Sequence, residues 1–81
     1  MTLPEFERLV RYFREDAERV ELCRKLELKA LRAPTTGEVR EQALHNAAWR
    51  LQYAEASLRN SEERVVWASK ELNLPENFKA A

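Results

Sequence analysis

With 81 residues, the chain is a single domain near the size at which one apolar core only just outweighs the entropy of ordering the backbone. Its one cysteine, Cys23, and one histidine, His45, exclude an intramolecular disulfide and argue against structural zinc, so further burial has to come from association with another chain. The 14 basic and 14 acidic residues cancel, which excludes the overall positive field that holds a nucleic-acid polymer or an anionic membrane and leaves room only for a small anion in a local basic pocket.

One glycine and three prolines among abundant Ala, Leu, Glu and Arg make a helix composition. No apolar run approaches the roughly 20 residues of a membrane span, and the first residues lack the basic-then-apolar order of a signal peptide, so the expected location is the cytosol. Thr2-Leu3-Pro4-Glu5 reads as a capping box with proline in the first turn, and helix one starts there. Its seam of Leu3, Phe6, Val10, Phe13, Ala17 and Val20 fails at Arg24 and Glu27, while Leu22, Cys23, Leu26 and Ala30 form a stripe on another face. Ala33-Pro34 disfavours further helix, and Thr35 with Glu38 reads as a second capping box that opens helix two.

From Gly37 onward Leu44, Leu51, Leu58, Val65 and Leu72 fall at every seventh position, with Ala47, Ala54, Ser61 and Ala68 three residues after the first four. Large residues at one seam position and small ones at the other let two antiparallel helices approach closely. On that pairing Phe13 is expected near Ala54 and Leu58, and Phe6 near Ser61 and Val65. A break at Asn60-Ser61-Glu62-Glu63, itself an N-cap pattern, would give three helices; the heptad phase that runs through it favours one. Leu74-Pro75 ends the helix, and Phe78 is placed to fold back onto the bundle.

The fold expected is all-α, an antiparallel hairpin with helix one over about 3–32, a turn at 33–36, helix two over about 37–73 and a short tail at 74–81. Trp49, Tyr53, Ala56 and Trp67 lie opposite the leucines of helix two. A hairpin buries one stripe per helix, and leaving Trp49, Tyr53, Trp67, Leu22 and Leu26 wet forfeits about 1.5–3 kcal/mol each. A homo-oligomeric helical bundle, from dimer to hexamer, is therefore expected.

The candidate site residues are Tyr12, Lys25, Trp49, Arg50, Tyr53 and Arg59. Trp49 and Tyr53 stand one turn apart beside Arg50 and Arg59, and the hairpin brings the Lys25 and Lys29 end of helix one toward them. Rings and guanidinium groups stack on bases and neutralise phosphates; the same rings also suit an oligomer interface. Tyr12, flanked by Arg8 and Arg11, is either a lid over a ligand at a subunit boundary or a half-buried interface residue. The pair Glu41 and His45 lacks the further ligands of a metal site, Cys23 reads as a small apolar contact, and pairs such as Glu7 with Arg11 or Glu55 with Arg59 support exposed helix faces. No nucleophile–base pair or phosphate loop is visible, so neither catalysis nor a cofactor is expected, although scattered arginines in a bundle could build an active site without a local signature.

The second half carries a resemblance. Pro34-Thr35-Thr36-Gly37, Arg40-Glu41-Gln42, Ala43-Leu44 and the run Leu51-Gln52-Tyr53-Ala54-Glu55-Ala56-Ser57-Leu58-Arg59-Asn60 are similar to the hairpin domain of phage anti-CBASS and anti-Thoeris sponge proteins, over roughly a third of the chain. Tyr53 stands where that family usually has tryptophan, and Glu55 where it has asparagine. The resemblance implies a compact homo-oligomer in the host bacterial cytosol that binds cyclic di- or trinucleotide messengers at subunit boundaries without cleaving them, an immune-evasion sponge. The alternative is a homo-oligomeric interaction module, or a small inhibitor that docks on a host protein.

Overall fold

The computed structural model describes residues 1–74, and the stop expected at Pro75 and the return of Phe78 lie outside the described residues. Two helices, α1 (Leu3–Arg32) and α2 (Gly37–Glu71), pack against each other as a hairpin, with α2 continuous through Asn60. The described residues extend over 54 × 18 × 16 Å.

The caps decide where each helix begins and ends. At the start of α1 the Thr2 Oγ1 accepts from the Glu5 amide and the Thr2 amide donates to Glu5 Oε2, both at 3.4 Å, the reciprocal pair expected from the sequence. Pro34 holds Ala33 extended, and α1 stops. The second capping box does not form. Thr36, not Thr35, occupies the N-cap of α2, no side chain caps that end, and Thr35 Oγ1 is buried without a partner. Thr36 is itself extended, so Thr35 stands one residue before the cap, and Gly37 enters α2 with φ of +64, a left-handed turn open to glycine. The turn is closed instead by Arg40, whose guanidinium donates to the Leu31 carbonyl at 3.1 Å and the Ala33 carbonyl at 3.4 Å. A cation on the carbonyl end of α1 satisfies orphan acceptors and complements the helix dipole.

The far end of α2 stops at Glu71, short of the expected Asn73. Asn73 takes the left-handed conformation, its amide donates to the Lys70 carbonyl, and the Leu74 amide donates to the Ser69 carbonyl at 2.8 Å. This paired 5→2 and 6→1 bonding is a Schellman stop built on asparagine, and it ends the helix before Pro75 is reached.

The small seam residues form the interior. Val20 of α1 is buried with Ala47, Ala54, Ser61, Val65, Ala68 and Ser69 of α2, whereas Leu44, Leu51 and Leu58 are half-buried at its margin with Phe6 and Phe13. The two buried serines find acceptors in their own helix, Ser61 Oγ on the Ser57 and Leu58 carbonyls and Ser69 Oγ on the Val66 carbonyl at 2.9 Å.

The pairing register differs from the expected one by about a turn. Ser57 bonds Asp16 across the hairpin, and counting from that pair sets Phe13 level with about Asn60 and Phe6 with about Trp67, farther from the turn than Ala54 and Ser61. Helical side chains lean toward their own N-terminus, so in an antiparallel pair each tip meets residues farther along its partner than a count from the turn suggests.

Two substitutions test this account. Ala54→Leu is expected to overpack the closest approach and cost about 1–3 kcal/mol, while Ala48→Leu, on an exposed face, stays within about 0.5 kcal/mol in denaturant titrations. Arg40→Ala is expected to cost about 1 kcal/mol and lower the melting temperature by roughly 4–8 °C; an unchanged thermal transition would show that the turn does not depend on it.

Candidate functional site

The largest side chains of the hairpin stand outside its interior. Trp49 is 59% exposed, Tyr53 72% and Trp67 56%, and Leu22 and Leu26 on α1 are exposed as well. Trp49 and Tyr53 stand one turn apart on α2 and meet edge to face, ring centroids 6.4 Å apart at 84°. That geometry sets the edge of one ring on the face of the other and leaves ring surface turned to solvent.

Three of the six candidate residues come together. Trp49, Arg50 and Tyr53 line an open groove of about 420 Å³ on one flank of the hairpin, and α1 completes it with Arg19 and Cys23. Its walls are mainly apolar, with Ala54 at the floor. Arg19 also borders a second groove of about 430 Å³, a polar one that holds Tyr12 with Asp16, Ser57, Asn60 and Arg64. The two grooves thus meet at Arg19. Its Nη1 donates to Asp16 Oδ1 at 2.7 Å, and Ser57 Oγ approaches the same oxygen at 3.5 Å. The Asp16 side chain is only 13% exposed, so this shared oxygen is the polar clasp between the helices.

The other two candidates lie elsewhere. Lys25 borders a groove at the turn end with Leu28, Lys29, Arg32 and Pro34, where the cations also offset the carbonyl end of α1. Arg59 lies farther along α2 than the aromatic pair, in a shallow depression with Glu62, Glu63, Trp67 and Lys70. Arg59 has carboxylates for neighbours there, which lowers its worth to an anionic ligand.

Electrostatics limit what the aromatic groove can hold. Of its two guanidinium groups, Arg19 has one nitrogen on Asp16, which offsets part of its charge, and Arg50 faces a ligand without such a neighbour. The arrangement therefore offers ring faces, an apolar floor and one uncommitted cation, which suits apolar side chains of another protein surface, or a planar anion if a neighbouring subunit adds charge. Among the described residues no three His, Cys, Asp or Glu side chains gather closely enough to hold a metal ion, and no helix is long and apolar enough to cross a membrane.

Sequence reasoning missed Arg19, Asp16 and Ser57. Asp16 and Arg19 stand three residues apart on α1, a spacing that marks a helical ion pair, whereas Ser57 joins them only through the cross-hairpin register. Cys23 was read as a small apolar contact, and it lines the groove as a half-buried thiol beside the aromatic pair. Comparison with family models, with curated proteins and with solved structures finds no match to this chain.

Proposed function

We propose that this chain is a non-catalytic helical-hairpin interaction module that works as a homo-oligomer through its exposed aromatic face. The observation that carries this reading is the placement of apolar bulk. Two valines with alanines and serines fill the interior of the hairpin, while two tryptophans and a tyrosine remain more than half exposed outside it. Surface of that kind is costly to leave in water and is the ordinary material of a protein–protein interface.

Native mass spectrometry and sedimentation equilibrium test it together. The expected result is a defined species of two or more subunits that dissociates on dilution, with tryptophan emission moving to longer wavelength as it does. A well-folded single chain at the highest attainable concentration would overturn the reading.

A second reading is favoured by one local feature, the grouping of Trp49, Arg50 and Tyr53 with Arg19 in one groove. Completed by cations of a neighbouring subunit, that groove would stack and neutralise a cyclic di- or trinucleotide and sequester it without chemistry, as the sponge resemblance implies. It ranks second because Arg19 is paired and Lys25 and Arg59 lie apart from the rings. Calorimetry with a panel of cyclic dinucleotides and trinucleotides is expected to show binding that Tyr53→Ala or Arg50→Ala weakens at least tenfold, about 1.4 kcal/mol, with the ligand recovered intact. Silence across the panel would overturn this second reading and leave the interaction module untouched.

A further inference from the structure

The outer face of α2 carries a second periodic seam that the hairpin leaves uncovered. From Trp49 through Tyr53, Ala56, Asn60 and Glu63 to Trp67 the steps alternate between four and three residues, and every one of these side chains is exposed. That alternation is the signature of a helix that pairs with another helix in a coiled coil. Trp49 and Trp67 stand at the same angle around the helix, because the step of eighteen residues from one to the other makes five full turns.

Resting on the homo-oligomeric reading above, we propose that this seam binds the same seam of a second copy, antiparallel, about a two-fold axis level with Leu58. Each Trp49 then packs on the partner's Trp67, and each Tyr53 phenol donates to the partner's Glu63. Ala56 and Asn60, small or polar, occupy the middle of the seam.

Charge selects the antiparallel arrangement. In a parallel pair Glu63 would face the partner's Glu63, Lys70 the partner's Lys70, and Arg59 would lie beside the partner's Arg64, like charges in or next to every C-terminal layer. Reversing one helix removes the two conflicts inside the seam, setting Glu63 against the partner's Tyr53 and Lys70 against the partner's Asn46, while arginines still flank one another, Arg59 beside its own copy and Arg64 beside the partner's Arg50. Area is sufficient as well. At their exposures the three rings put roughly 300–450 Å² of surface on one face. The apolar share of one side of a standard interface is about 450–500 Å². Ala56 and the aliphatic stems of Arg64 and Lys70 supply the difference.

Spin labels at His45→Cys and, in a separate protein, at Gln52→Cys, both with Cys23→Ser, read the arrangement by pulsed dipolar spectroscopy of the full chain. Both positions are exposed beside the seam. The 1.5 Å rise predicts separations of about 40 Å at residue 45 and about 20 Å at residue 52. Short, equal separations at both sites would establish a parallel pair, and separations displaced together by about 10 Å a seam slipped by one heptad; either overturns this arrangement while the homo-oligomeric reading stands. Sedimentation as a monomer overturns both. Ala56→Arg, at an exposed position, is expected to keep full helicity and weaken self-association at least tenfold. Self-association as tight as that of the parent would show that the seam lies elsewhere.

Discussion

A helix has a full circumference, and a partner helix covers only one side of it. In this hairpin that limit is compounded by the choice of residues on the covered side of α2, where Ala47, Ala54, Ser61 and Ala68 let α1 come close but contribute little apolar volume. The leucines of the heptad sit at the margin, and the tryptophans are on the far side. Compared with a globular domain the placement of bulk is reversed, with the large rings outside and small side chains lining the helix contact. The association proposed above would cover that surface without any change in the hairpin.

Because the interior is thin, its ends and its polar contacts bear more of the specification than they would in a thicker fold. Arg40 on the α1 carbonyls and Ser57 on Asp16 each fix one place along the pair. Neither of them adds much stability alone. Together they hold one register for two helices whose alanine-rich contact would accept several.

The sequence made the hairpin legible because its strongest signals are local or periodic. Thr2 with Glu5, the break at Pro34 and the seven-residue repeat need no knowledge of a third dimension, and the structure shows all three. The start of α2 was not legible, because two threonines compete for the cap and the outcome depends on which of them is the last extended residue, which periodicity does not encode. The site follows the same division. Trp49, Arg50 and Tyr53 are neighbours on one helix and remain neighbours in the groove, whereas Lys25 and Arg59 were drawn in by a register counted from the turn and by angular proximity. The lean of side chains along an antiparallel pair shifts such cross-helix contacts by about a turn, enough to exchange Lys25 for Arg19 and Cys23.

The Arg40 clasp has a consequence for how the chain folds. It joins segments only seven and nine residues apart, so closing it sacrifices little chain freedom, and each later layer adds to a pair whose strands are already held side by side. Assembly then proceeds like a zipper from the bend toward the loose ends, quickly and without a distant contact that must form first. Forces pulling on the two loose ends would peel the same layers in reverse, one at a time, with the arginine the last to let go.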